Sequence, residues 1–215
     1  MRIMTYDRAA NERNVVSALR IMTSNDSSTV PLSWFRVDDG VMGGLSETNH
    51  EQVDDVLHFQ GTINTNGGGF TSIRSKIPQG TLAIYQGVKL RLQGDGKTYK
   101  FIMSSGKSAG SPFSSHPSWQ YDIPTSTSCD KAGSNDDWHE VVVPFEKLLP
   151  SFGPRSVSDE ERHKFTFDPS EMQEIGLMLS LKLSNGKPNP TETFGQGIFP
   201  FSLRVQSIEP LENAS

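Results

Sequence analysis

The chain has 215 residues, with 20 Lys+Arg against 25 Asp+Glu and a net charge of −5, which excludes a general electrostatic affinity for nucleic acid. Its one cysteine, Cys129, excludes an internal disulfide framework. The 19 Gly and 13 Pro call for many turns and few long helices.

Taken in chain order, Arg8–Met22 has the rough helical spacing of Val15, Val16 and Leu19 with Ala9, Ala10 and Ala18. The polar cluster Thr23–Thr29 ends it, so residues 1–30 read as an N-terminal helix or arm. No apolar h-region precedes it. Arg2, Arg8, Arg13 and Arg20 are interrupted by Asp7 and Glu12, so there is no clear mitochondrial presequence. With the single cysteine, this points to an intracellular protein.

From Pro31 the texture changes to short alternating runs separated by turn signals. Nine strands are predicted: Trp34–Val37, Val56–Ile63, Phe70–Ser75, Tyr85–Leu92, Thr98–Met103, Trp119–Ile123, Trp138–Phe145, Ile175–Leu183 and Phe199–Ile208. Val88, Leu90 and Leu92 share one face, and Gly94-Asp95-Gly96 reads as a hairpin turn into Thr98–Met103. Ser104–Ser118, Thr125–Asp137 and Pro150–Ser170 read as loops, the last with one helical turn. The longest apolar stretch, around Ile175–Leu183, is broken by Gly176, Ser180 and Lys182, so no membrane span is expected. Without βαβ alternation the chain is all-β, a jelly-roll β-sandwich over residues 31–211 with a short tail at 212–215. Trp34, Phe59, Phe70, Leu90, Leu92, Phe101, Val141, Val143, Leu177, Leu179 and Leu203 should face one core.

Chemistry-bearing motifs are sparse. Gly94-Asp95-Gly96-Lys97-Thr98 has Arg91 where a phosphate-binding loop needs glycine, and it leads into a strand. No histidine pair or CxxC has zinc spacing, and no GxSxG elbow occurs. Asp38-Asp39, Asp54-Asp55 and Asp136-Asp137 are either oxygen ligands for calcium or solvated turn carboxylates. No cofactor, metal or catalytic residue is assigned, and an enzyme is not expected.

The most unusual strings are Asp38-Asp39-Gly40-Val41-Met42-Gly43-Gly44-Leu45-Ser46 and Gly67-Gly68-Gly69-Phe70-Thr71-Ser72-Ile73-Arg74. Their glycines permit positive φ and close backbone approach. The two strings should lie together, with Arg74 paired to Asp39 or Asp95.

With Trp34, Phe59-Gln60-Gly61, Gly94-Asp95-Gly96-Lys97-Thr98-Tyr99, Trp138, Val143-Pro144-Phe145, Ile175-Gly176-Leu177 and Phe201-Ser202-Leu203, these strings resemble the complex I intermediate-associated protein 30 family from roughly Leu32 to Leu211. The resemblance implies a galactose-binding-like β-sandwich acting as a chaperone-like assembly factor. Its partners would be unfolded or partly assembled protein subunits, those of NADH dehydrogenase in mitochondria, with membrane contact only through those partners. The candidate residues for partner binding or for the motif's structure are Asp39, Gly43, Gly44, Ser46, Gly68, Gly69, Arg74, Asp95, Phe113 and Trp119. A carbohydrate-binding module is the alternative, with Trp119 and Tyr121 sharing one face as an aromatic platform.

Overall fold

A computed structural model describes residues 20–22, 29–106, 116–126 and 138–212. In chain order the strands are β1 (Arg20–Met22), β2 (Thr29–Pro31), β3 (Trp34–Asp38), β4 (Glu47–Val53), β5 (Val56–Asn64), β6 (Phe70–Lys76) and β7 (Gly87–Gln93). They continue as β8 (Thr98–Ser104), β9 (Ser118–Pro124), β10 (His139–Pro144), β11 (Leu149–Phe152), β12 (Arg155–Ser156), β13 (Glu174–Ser180) and β14 (Ile198–Leu211). A one-turn helix, α1 (Thr191–Phe194), precedes β14.

Two sheets stack into an all-β sandwich, as the sequence implies. One has the order β12-β11-β9-β8-β13-β6-β3. The other is built on the long β14, whose first half pairs with β5 and whose second half pairs with β7. β4 extends β5, β10 extends β7, and β1-β2 joins β14 at Ile21↔Ile208. β5 and β7 lie on opposite edges of β14, with Arg204 and Val205 paired to both, and the β7 register shifts at a bulge between Val205 and Ser207.

All nine predicted strands are present. Phe59, Leu90, Leu92, Phe101, Val143, Leu177, Leu179 and Leu203 are buried in one cluster, with Trp34 and Val141 half-buried against it. Phe70 is half-buried at its strand's start. Phe59 meets Phe201 and Tyr99 edge-on, linking the two sheets' inner faces.

Four expectations are corrected. Arg20–Met22, the predicted end of a helix, is a strand paired with β14 and β2. Residues 1–19, the rest of that element, lie outside the described residues. Gly94-Asp95-Gly96 is not a hairpin turn, because β7 and β8 belong to different sheets. The turn is an arch across the sandwich edge, with Gly96 at φ +87°. Pro150–Ser170 is not all loop, since β11 and β12 open it as a small hairpin around Gly153. Finally, Trp119 and Tyr121 do share a face, but it is the core face. Trp119 is buried edge-on against Phe167, so it offers neither a partner anchor nor a sugar platform.

Candidate functional site

The two glycine strings meet at one end of the sandwich. β3 ends at Asp38, and Asp39–Met42 makes a single 3-10 turn. Gly43, at φ +85°, reverses the chain there, a conformation that β-carbon sterics oppose in other residues. The Gly44 N–H donates to the Asp39 carbonyl at 3.0 Å and closes the turn. The chain then enters β4 through Ser46.

The Asp39 side chain points into this turn and is fully buried. Its Oδ1 accepts from the Ser46 N–H at 3.0 Å. Its Oδ2 accepts from the Ser46 hydroxyl at 2.7 Å, the Gly69 N–H at 2.6 Å and the Phe70 N–H at 3.4 Å. The Ser46 hydroxyl in turn accepts from the Asn64 N–H at 3.0 Å. Burial works against the ionised form, but the Ser46 hydroxyl and the Gly69, Ser46 and Phe70 N–H groups outweigh it and hold the carboxyl below its ordinary value. One carboxylate therefore ties β3 and β6 of one sheet to β4 and β5 of the other.

This geometry explains two further glycines. A β-carbon on Gly44 would stand 2.2 Å from Asp39 Cγ, and one on Gly68 would stand 2.2 Å from Asp39 Oδ2. Both positions must stay bare for the carboxylate to fit. Asp39, Gly43, Gly44, Ser46, Gly68 and Gly69 thus belong to one knot.

Arg74 does not reach it. Its Nη1 pairs with Glu174 Oε1 at 3.0 Å, and Glu174 also accepts from the Ser104 hydroxyl at 3.2 Å. The expected partners, Asp39 and Asp95, are corrected to Glu174 because Arg74 lies on the outer face of β6. There Gly176 of the neighbouring β13 leaves room for its stem. Asp95 is a second cross-sheet tie. It accepts from the Tyr99 hydroxyl at 2.9 Å and from the Ser202 N–H of β14 at 3.0 Å, and it pairs with Lys97 Nζ at 3.2 Å. Burial of Tyr99, reinforced by the Asp95 charge, pushes the phenol's pKa well up. Phe113 and the Asp136-Asp137 pair lie outside the described residues. Asp54-Asp55 form the two-residue turn between β4 and β5, both at positive φ, the signature of a type I′ hairpin.

The sequence reading missed what surrounds the knot. Met42 and Leu45 are exposed on the loop that Asp39 closes, Leu45 at 67%. Ile198, at 68%, stands opposite Asn64 in the β14–β5 pairing. Leu181, also exposed, lies beside Gly69 and donates its N–H to the Gly69 carbonyl at 2.9 Å. Single exposed apolar residues are ordinary, but several on one rigid rim suit a contact surface. Next to the rim, a cleft of about 680 Å³ runs between β3 and β4, lined by Arg36, Asp38, Glu47, Thr48 and Asn49 over Gly40 and Gly61.

The fold defines a class, the two-sheet β-sandwich. Beyond the class, the family model of complex I intermediate-associated protein 30 (CIA30) matches residues 23–205. The chain belongs to that family. No curated protein matches the sequence. Among solved structures, the chain is similar to CtCBM11, described by its solution structure, dynamics and binding studies, at 13% identity over 94% of this chain and 99% of that one, with a TM-score of 0.49. It is also similar to the family 11 carbohydrate-binding module of the cellulosomal cellulase Lic26A-Cel5E of Clostridium thermocellum, at 13% identity over 89% of this chain and 96% of that one, TM-score 0.48. The agarase AgWH50C matches at 11% identity over 93% of this chain and 25% of that longer one, TM-score 0.48.

Proposed function

We propose that this protein is a non-enzymatic assembly factor that holds partly built subunits of the NADH dehydrogenase (respiratory complex I) in the mitochondrion until their final neighbours arrive. Family membership supports the client. The observation that carries the mode of action is the apolar rim of Met42, Leu45, Leu181 and Ile198 around the Asp39 knot. An exposed anchor on a rigid support loses little conformational entropy when a partner covers it, and interface energy concentrates in a few such anchors. Among the described residues no helix is long and apolar enough to cross a membrane, and membrane contact in this reading comes through the partners.

Affinity capture of the tagged protein, with a photo-crosslinking amino acid at Leu45, tests the reading. Crosslinks to respiratory-complex subunits, weakened by Ile198→Asp without a change in melting temperature, are expected. Localisation outside mitochondria, or a Leu45 probe that yields no such subunit, would overturn it.

A further inference from the structure

The cleft beside the knot has a chemistry of its own. Among the described residues β3 is the edge strand of one sheet, and β4 pairs only with β5 at the edge of the other. The cleft is therefore the seam where two sheet edges face each other. Edge strands present unpaired main-chain N–H and C=O groups, which natural proteins guard or use. Two side-chain bonds stitch this seam: the Thr48 hydroxyl donates to Asp38, and the His50 ring meets the Trp34 carbonyl at 3.0 Å. Beyond the Thr48–Asp38 stitch the cleft opens, and its walls there are small or polar, with Gly40, Ser46, Gly61 and Thr62.

The charge along this edge has one sign. From Leu45 to Leu57 the sequence carries Glu47, Glu51, Asp54 and Asp55 and no Lys or Arg. Glu47, Asn49, Glu51 and Val53 are all exposed, so they form the outward row of β4. Among the described residues that line the cleft, Arg36 is the one cation, near Asp38. Burial and the neighbouring Asp39 charge hold the Asp38 carboxyl above its ordinary value despite Thr48 and Arg36, the condition of a carboxylate short of positive company.

We infer that this seam takes an extended, lysine- or arginine-bearing segment of the protein partner, laid along β4 as an added strand. The inference rests on the assembly-factor reading and names the chemistry of the segment held. Glu47 and Glu51 are four residues apart on one face, about 13 Å along the strand. A segment added in register sets its basic residues at the same spacing, opposite the two acids. Residues three apart fall on opposite faces and cannot meet both.

The test uses the full chain and three fluorescent heptapeptides: Thr-Lys-Thr-Val-Thr-Lys-Thr, its counterpart with glutamate for lysine, and a peptide with lysines three apart. Anisotropy should show the first binding about tenfold more tightly than either other, with affinity falling as salt is added. The double variant Glu47→Lys with Glu51→Lys should reverse the preference towards the glutamate peptide. Both sites are exposed, so its melting curve should match the parent's. No binding, equal binding of the three peptides, or a preference unmoved by the charge reversal overturns the inference. A second photo-crosslinker at Asn49 separates it from the reading beneath it. Subunits captured from Leu45 but not from Asn49 leave the assembly-factor reading standing and remove the seam, whereas capture from neither removes the reading itself.

Discussion

The knot at Asp39 and the seam beside Asp38 begin at adjacent residues, yet they hold their carboxylates in opposite ways. Asp39 is fully buried and accepts four hydrogen bonds, three of them from main-chain N–H groups. Asp38 is half-buried, and among the described residues its donors are the hydroxyl and, more weakly, the N–H of one residue, Thr48. Burial disfavours the charge at both sites. At Asp39 the donors win and the carboxyl pKa falls, while at Asp38 they do not and it rises. The difference follows from where the 3-10 turn starts: one residue later along the chain, a side chain points into a ring of main-chain donors instead of into an open seam. A fully satisfied buried charge serves structure, and a less satisfied, accessible one suits the partner segment inferred above.

Removing the two carboxylates should separate these roles most sharply. Asp39→Ala strips the acceptor from buried donors on Ser46 and Gly69 and unfastens both sheets at that end, at a cost on the order of 3–5 kcal/mol. Asp38→Ala should fall within about 1 kcal/mol of the parent. Urea denaturation of the two variants checks this, and equal losses would erase the distinction. A third carboxylate, Glu174, marks the intermediate case, a buried acid held by a side-chain cation and a hydroxyl. Arg74→Met leaves it unpaired and should cost about 3 kcal/mol. Arg74→Lys should be far milder, since among the described residues only Nη1 makes the bond and the Nε has no partner.

The glycines extend the comparison. At Gly44 and Gly68 an added methyl meets the Asp39 carboxylate at 2.2 Å, so either Ala variant must push the acid out of its ring, costing about 2–3 kcal/mol. At Gly43 a β-carbon meets nothing within 4 Å. There the cost of Ala comes only from the left-handed backbone, about 1 kcal/mol. Thermal melts that rank Gly43→Ala as the worst of the three would contradict the knot as the reason for the bare positions.

Much of this was legible in the residues. Strands with apolar alternation, such as Val88-Lys89-Leu90-Arg91-Leu92, declare themselves locally, because one face must be buried. The two glycine strings do lie together, as their turn chemistry and their shared place in the family resemblance imply. β4 was missed because Glu47-Thr48-Asn49-His50-Glu51-Gln52-Val53 is an edge strand whose outward row is polar and whose inward row, Thr48 and His50, is polar too. Its only local signal is the Val53-Asp54-Asp55-Val56 turn. β1 reads as helix in the sequence because its strand character depends on pairing with Ile208, far along the chain. The Arg74 partner was missed for a related reason: Glu174 lies 100 residues away, and only the β6–β13 register brings the two together. The arch at Asp95 looked like a hairpin because a tight glycine turn reads the same whether its strands share a sheet or separate into two.

The smallest expected effect is also the one that joins the knot to the seam. Asp39 has a folded-state pKa below its ordinary value, so its contribution to stability is present above the unfolded pKa and is lost as the pH falls through the folded one. Asp39→Asn should therefore flatten the acid limb of a stability–pH profile. For Asp38 the sign is reversed. Its folded pKa is raised, so the native state takes up the proton first, and ionisation above that range costs stability. At neutral pH Asp38→Asn should thus gain a few tenths of a kcal/mol, discounted for the solvent screening of a half-exposed group. The gain should vanish as the pH drops through the carboxylate range, where the parent's Asp38 is already neutral. With the lysine heptapeptide bound, the same substitution should change from a small gain to a small loss, because the charge the free protein holds at a cost then has a cation beside it. Denaturation profiles of parent and variant, with and without peptide, would show this crossing. A gain at neutral pH that persists with the peptide present would mean that Asp38 takes no part in recognition.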